Sequence, residues 1–309
     1  MEYMENRKLK SFVDAMQESA DIVRQEDPDY LVAPMMGSVP LVDVMAVVSN
    51  DFDPSRVVYM PASSRIDDVS RVIRKWYSNF LNAVVGDVLD APPKIMGIDE
   101  VVSGNSVLRC FKPIDLATES YRKDARQNFL EDLCKDPQTA GAVLRKLDMA
   151  TNNEYFERLR KIKSRIEESF YLGNPIESRN DRKFLGETMK TYLENILNYK
   201  TIGVEDSKKK GDRNLTYEMA KKEGRVFPVN VETILTMDKP SYCSAQFRRL
   251  ANPRGKPNYV LFSPEVDSFE VSGDYVRFLA DLARYVGKSA SQVAPVNMSA
   301  ILDSSKYLG

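Results

Sequence analysis

The chain has 309 residues, 43% of them hydrophobic and 29% charged, so it can bury a full core and has a globular rather than a disordered composition. With 44 Lys and Arg against 45 Asp and Glu, the net charge of -1 exerts no overall pull on nucleic acid or a membrane surface, and any anion must be gripped by local geometry. There is no histidine, which excludes Ser-His-Asp and Cys-His nucleophilic catalysis and histidine-based zinc or iron sites.

The N-terminus, Met1-Glu2-Tyr3-Met4-Glu5-Asn6-Arg7-Lys8, lacks the apolar run of a signal peptide, and no later stretch is apolar enough to span a bilayer. Leu9, Phe12, Val13, Met16, Ala20 and Val23 then fall on one helical stripe. Tyr30-Leu31-Val32-Ala33 reads as a buried strand that meets Pro34 and a Gly37-Ser38 turn, and Pro40 suits the first turn of a helix carrying Leu41, Val44, Met45 and Val48. Arg56-Val57-Val58-Tyr59-Met60 predicts a second strand. Ser64-Arg65-Ile66-Asp67 has a capping-box pattern that leads into Val69, Val72, Ile73, Trp76, Phe80 and Val84 at helical spacing. The Trp76 stripe reads as packing rather than as a stacking site.

Lys94-Ile95-Met96-Gly97-Ile98 predicts the third strand. From about Pro113 to Asn198 the periodicity is helical only. Phe156, Leu159, Ile162, Ile166 and Phe170 mark one helix, whose basic run from Arg158 to Lys163 reads as a wet face rather than a nucleic-acid surface. Phe184, Leu185, Met189, Tyr192, Leu193, Ile196 and Leu197 mark another. Strand character returns at Thr201-Ile202-Gly203-Val204, and a polar run from Glu205 to Gly211 follows. Further strands are predicted at residues 225–229, 233–235 and 259–262, and a helix from Asp274 to Tyr285 ended by Gly287. Strand alternating with helix implies an α/β fold with a mainly parallel sheet flanked by helices, and ligands beyond the carboxyl ends of its strands. Cys110, Cys134 and Cys243 are odd in number and widely spaced, which argues against a disulfide framework and fits a reducing interior. A cytoplasmic protein is the expectation.

The chemistry concentrates between Ile95 and Leu108. A buried strand delivers Asp99 and Glu100 at its end, and Ser103-Gly104-Asn105-Ser106 opens a helix. The amides from Ser103 to Val107 can converge on a phosphate at the positive end of that helix, with Gly104 allowing close backbone approach. Asp99 and Glu100 are then placed to accept hydrogen bonds from vicinal ribose hydroxyls and to favour a developing oxocarbenium ion. Carboxylates at the open end of a strand are expected to be solvated.

Ile95-Met96-Gly97-Ile98-Asp99-Glu100-Val101-Val102-Ser103-Gly104-Asn105-Ser106 resembles the phosphoribosyl pyrophosphate signature of the type I phosphoribosyltransferases: an apolar strand, two acids, two apolar residues, then a Ser/Thr-Gly turn into a helix. Leu31-Val32-Ala33-Pro34-Met35-Met36-Gly37-Ser38-Val39-Pro40 falls where that family places its pyrophosphate loop. The loop after the acids is one residue shorter than usual, and Met35-Met36-Gly37-Ser38 stands where the family offers a basic residue and paired glycines. The resemblance implies a Rossmann-like core over residues 1–112 and 199–245, a helical insertion over 113–198 and an extension over 246–309. It implies catalytic roles for Asp99 and Glu100, a phosphate site at Ser103, Gly104, Asn105, Ser106 and Val107, and a pyrophosphate loop at Met36, Gly37 and Ser38. It further implies a magnesium ion borne by the substrate, with no side-chain metal ligand.

Three functions remain open on this reading. One is an enzyme transferring ribose 5-phosphate from phosphoribosyl pyrophosphate to a nitrogenous base with release of pyrophosphate. Another is a ribonucleotide-sensing or defence module that signals through its helical insertion. The third is an interaction module with a vestigial pocket, in which the helical block docks a protein partner or a second copy. Phe227, Tyr242 and Phe247 are candidates for stacking on a base, and Lys208-Lys209-Lys210 reads as a solvated loop able to reach a phosphate across the site.

Overall fold

The computed structural model describes residues 6–35, 37–86, 92–133, 137–150, 156–171, 179–235, 243–249, 262–289 and 298–309. Met36, Cys134, Tyr242 and residues 259–261 of the predicted last strand lie outside them. The chain divides into two compact units, Met1–Asn79 with Lys94–Asp115 and Tyr199–Gly309, and Phe80–Pro93 with Leu116–Asn198.

The first unit holds a five-stranded sheet. In chain order it contains α1 (Asn6–Glu26), β1 (Tyr30–Met35), α2 (Ser38–Val48), β2 (Val57–Pro61), the start of α3 (Val69–Val84), β3 (Ile95–Val101) and the start of α4 (Asn105–Leu133). The chain re-enters it with β4 (Lys200–Asp206). The strand order is β2-β1-β3-β4-β5, where β5 is Val226–Val231, and every pairing is parallel. The strands read as near-continuous apolar runs because both faces of such a sheet are covered.

Alternation assigns the faces. Leu31, Ala33, Met96, Ile98, Ile202, Val204, Val229 and Val231 join one core with Phe12, Met16, Val44 and Met45 of α1 and α2. Leu9, Val13 and Ala20 of the predicted α1 stripe are buried there too. On the opposite face the Tyr199 hydroxyl lies beneath Gly97, and the Tyr199 ring meets Tyr77 of α3 and Phe111 of α4 edge to face, at 6.1 and 6.0 Å. The arrangement is an α/β, Rossmann-like doubly wound sheet.

Two further pieces belong to this unit. Strands β6 (Cys243–Arg249) and β7 (Phe262–Val271) form an antiparallel pair, and α9 (Gly273–Tyr285) adds Tyr275, Phe278, Leu279 and Leu282 to the first core. The Tyr275 hydroxyl donates to the buried Asp43 carboxylate of α2. Trp76 is fully buried: its Nε1 donates to the Ser304 carbonyl at 2.7 Å, just past α10 (Met298–Asp303), and its ring meets Tyr307 at 5.2 Å. It is core, as its stripe predicts.

Some boundaries differ from the sequence reading. The capping box at Ser64 does not form, because the Asp67 amide donates to the Phe262 carbonyl and the Arg65 carbonyl accepts from the Phe262 amide, and α3 begins only at Val69 after Asp68, whose φ is +45°. Residues 233–235 are not a strand; Ile234 and Leu235 pack into the core from a loop. Strands β3 and β4 both run further than predicted and carry Asp99, Glu100, Glu205 and Asp206 inside the sheet.

In the second unit the regular elements are helices, with no strand among the described residues. It holds the end of α3 and of α4, together with α5 (Pro137–Ala150), α6 (Phe156–Tyr171) and α7 (Arg179–Glu194). Ile162 and Ile166 of α6 are buried, as are Leu185, Met189 and Leu193 of α7, and Arg165 pairs with Asp181 at 2.8 Å. Among the described residues no helix is long and apolar enough to cross a membrane.

Candidate functional site at the β1/β3 switch point

In this strand order the chain leaves β1 toward β2 on one side and leaves β3 toward β4 on the other. The crevice at the carboxyl ends of β1 and β3 is therefore the topological switch point, where open α/β sheets bind ligands. Asp99, Glu100 and Ser38 meet there. Met36 lies outside the described residues; Gly37 stands between β1 and α2, and Ser38 opens α2.

Asp99 is only 4% exposed, which overturns the expectation that these carboxylates are solvated. The cause is the extra length of β3, which leaves Asp99 paired within the sheet opposite Gly203 of β4. Its Oδ1 accepts from the Ser38 hydroxyl at 3.2 Å and from the Glu100 amide at 2.9 Å. Its Oδ2 is buried without a hydrogen-bond partner. The Ser106 hydroxyl is close by but donates to the Glu100 carbonyl at 3.3 Å. Burial pushes the Asp99 carboxyl up to about 6, against the pull of Ser106, the Glu100 amide, Ser38 and the Arg109 guanidinium.

Glu100 points to the opposite face of β3, toward the start of α2. A Cβ at Gly37 would lie 2.6 Å from Glu100 Oε1, so the glycine is what lets the carboxylate occupy that position. Burial, then the Asp99 charge, pushes Glu100 up to about 7, with Lys209 opposing.

After Val101 the chain bends through residues 102–104 and enters α4 at Asn105. Gly104 has φ +80°, and its carbonyl accepts from the Leu108 amide at 3.0 Å. The glycine answers to the protein as well as to any ligand: a Cβ there would lie 2.5 Å from Cγ of Tyr217. Asn105 N donates to Ser103 Oγ at 3.4 Å, while the amides of Ser106 and Val107 belong to the first turn of α4, whose N–H groups have no intrahelical acceptor. The turn at the helix N-terminus is formed as the sequence predicts, with the positive end of the helix behind it.

Sequence reasoning missed the neighbouring strand. Glu205, in β4 on the same face as Asp99, is 1% exposed and bonded by three groups. Arg213 Nη1 reaches its Oε2 at 2.7 Å, and Lys221 Nζ and the Tyr217 hydroxyl reach its Oε1 at 2.8 and 2.9 Å. Tyr217 and Lys221 come from α8 (Leu215–Lys222). Burial, then the Glu205 charge, pushes the Tyr217 hydroxyl well above its ordinary value, so it stays a donor. Asn214 caps α8 by accepting from the Thr216 amide at 2.8 Å, and its own amide donates to the Ser103 carbonyl at 2.9 Å. A signal for this cluster was present: Gly97-Ile98-Asp99-Glu100 and Gly203-Val204-Glu205-Asp206 share the pattern glycine, apolar, acid, acid. Arg109 was missed as well. It lies near Asp99 and donates to the Ala62 carbonyl at 3.4 Å.

The stacking candidates gain no support. Phe227, the second residue of β5, is packed against the core with Lys200 Nζ 5.5 Å from its ring centre. Tyr242 and the side chain of Phe247 lie outside the described residues. Lys208 pairs with Glu232 at 3.7 Å in the 3₁₀ turn Ser207–Asp212, and Lys209 is exposed beside the acidic pair.

Among the described residues no three His, Cys, Asp or Glu side chains are grouped to hold a metal ion. Fold and site together define an α/β protein with an acidic switch-point site beside a helix N-terminus. Comparison with known protein families, characterised proteins and solved structures finds no match to this chain.

Proposed function

We propose that the protein binds a phosphorylated ribose, either a ribonucleotide or phosphoribosyl pyrophosphate, at the β1/β3 switch point, as its resemblance to the type I phosphoribosyltransferases implies. The observation that carries this reading is the buried Asp99 carboxylate, with one oxygen bonded twice and the other without a partner, beside the turn that opens α4. A buried acceptor without a donor costs about 1–3 kcal/mol, and a ribose hydroxyl would remove that cost. In this reading the amides of Ser106 and Val107 hold the 5-phosphate at the positive end of α4. Asp99 accepts from one ribose hydroxyl, and Glu100 lies on the other side of β3, facing the Gly37-Ser38 loop.

Magnesium fits as a passenger of the ligand. With at most the Asp99 and Glu100 carboxylates available, the ion would take most of its oxygens from phosphate and water, its usual manner of binding. When bound it would supply charge neutralisation on the phosphate oxygens. If the protein is a transferase, the carboxylates would favour positive charge developing on the ribose ring as pyrophosphate leaves.

Calorimetric titration with ribose 5-phosphate, phosphoribosyl pyrophosphate and common nucleotides, with and without magnesium, tests the reading. Binding by wild type is expected to weaken by at least tenfold in the Asp99→Asn, Glu100→Gln double variant, since each charge-assisted hydrogen bond contributes about 1.5–3 kcal/mol. Equal binding by a folded double variant would refute the assignment. Release of pyrophosphate on adding a nitrogenous base would mark an enzyme, and binding without release a sensor.

A further inference from the structure

The Glu205 cluster sits directly behind the turn that would take the phosphate. The Tyr217 ring fills the space against Gly104 while its hydroxyl bonds Glu205. The same hydroxyl lies where a Cβ on Gly203 would be, 2.5 Å away, so a side chain at Gly203 would displace it. Arg213, whose side chain is 3% exposed, ties the residue before the α8 cap to Glu205 and to the Asp206 carbonyl, at 2.7 and 3.2 Å. The next residue, Asn214, is bonded to the turn twice, through its amide to the Ser103 carbonyl at 2.9 Å and through Nδ2 to Asn105 Oδ1 at 3.4 Å. Glu205 thus gathers three side chains from one segment, and that segment holds the turn on two sides.

Charge within the cluster is balanced: Arg213 and Lys221 face the buried Glu205, and Lys221 is also 3.5 Å from Glu218. Its hold on the turn therefore lies in geometry, in the Tyr217 ring against Gly104 and the two Asn214 hydrogen bonds.

We propose that Glu205 is a positioning residue for this turn: through Arg213, Tyr217 and Asn214 it fixes residues 103–107 in their anion-receiving shape before any ligand arrives. This rests on the reading of the turn as a phosphate site, and it names the part of the protein that preorganises it. Strand β4 and helix α8 thereby become part of the binding machinery, although none of their residues need touch the phosphate.

The test uses the full chain, with Tyr217→Phe and Glu205→Gln as variants and Glu232→Gln, on the Lys208 pair, as control. Amide exchange is followed by NMR in the free protein, and inorganic phosphate and ribose 5-phosphate are then titrated. In Tyr217→Phe the amides of Leu108 and Asn214 are expected to exchange about fivefold faster, as loss of one hydrogen bond implies, while Ile98 and Val58 keep wild-type rates. Phosphate affinity should fall in parallel, and Glu205→Gln should show both effects more strongly. Wild-type exchange at Leu108 and Asn214 in both variants would overturn the proposal. So would uniform acceleration of every amide in Tyr217→Phe, since that marks a general loss of stability. If the turn loosens as expected but wild type binds neither probe, the positioning role stands and the phosphate reading falls.

Discussion

The ends of β3 and β4 begin from the same sequence pattern and finish in opposite states. Each strand carries a glycine two residues before a buried acid, and each glycine makes room for a tyrosine hydroxyl, Tyr199 at Gly97 and Tyr217 at Gly203. Glu205 is then saturated by Arg213, Lys221 and Tyr217, whereas Asp99 receives one hydroxyl and one amide and keeps a bare oxygen. Burial alone does not distinguish the two acids, because both are buried. What separates them is whether the protein supplies every donor.

The largest effect should come from breaking the saturated side. Glu205→Ala leaves Arg213 buried without its acid and is expected to cost about 3–5 kcal/mol in urea unfolding. A cost below that of a surface substitution would show that the cluster is solvated in solution and that the contrast between the strands is false.

The open side should respond in the opposite sense. The Asp99 carboxyl is raised from 3.8 to about 6 in the folded state, so its contribution to stability is fully present below the unfolded value and is lost as pH rises through about 6. Glu100 adds a similar loss between 4.5 and about 7. Asp99→Asn should therefore unfold at higher urea than wild type at pH 8, by about 3 kcal/mol at most, and the gain should shrink by pH 4. A variant less stable than wild type at pH 8 would mean that Asp99 is a satisfied structural acid like Glu205.

The smallest effect sharpens the comparison. Ser38→Ala removes a side-chain donor to Asp99 Oδ1 and should cost about 1 kcal/mol. Because that hydroxyl favours the charged form, the Asp99 titration, followed by NMR of its carboxyl carbon, should move to higher pH. An unmoved titration would show that Ser38 does not hold the carboxylate.

Much of this was legible in the sequence. The α1 stripe and the alternation of β1, α2 and β2 carry strong local periodicity and form as read, and the run from Ile95 is a strand that ends in a turn, though it extends to Val101. The misreadings have a common physical source. Acids look like loop residues, so Asp99, Glu100, Glu205 and Asp206 were placed beyond their strands, but neighbouring strands supplied the pairing that keeps them inside the sheet. The partners of Glu205 arrive from residues 213–221, and nothing in local spacing ties them to an acid at the end of β4. Ser64-Arg65-Ile66-Asp67 has the composition of a cap, but its backbone was claimed by Phe262, nearly two hundred residues later. Local pattern tells what an element is. Which of its polar groups remain free is decided by distant chain.

The placement of residues 102–199 between β3 and β4 has a consequence for how the molecule folds. Strands β2, β1 and β3 come from the first hundred residues, so three strands can pair before β4 is available. Closing the long connection costs little at equilibrium, since each doubling of a loop adds only about 0.6 kcal/mol, but contacts so far apart in sequence form slowly. A chain refolding from denaturant should acquire the Asp99 end of the sheet early and the Glu205 end late. During that interval the Ser103–Ser106 turn exists without Tyr217 behind it, so exchange protection at Leu108 and Asn214 should trail the recovery of secondary structure in time.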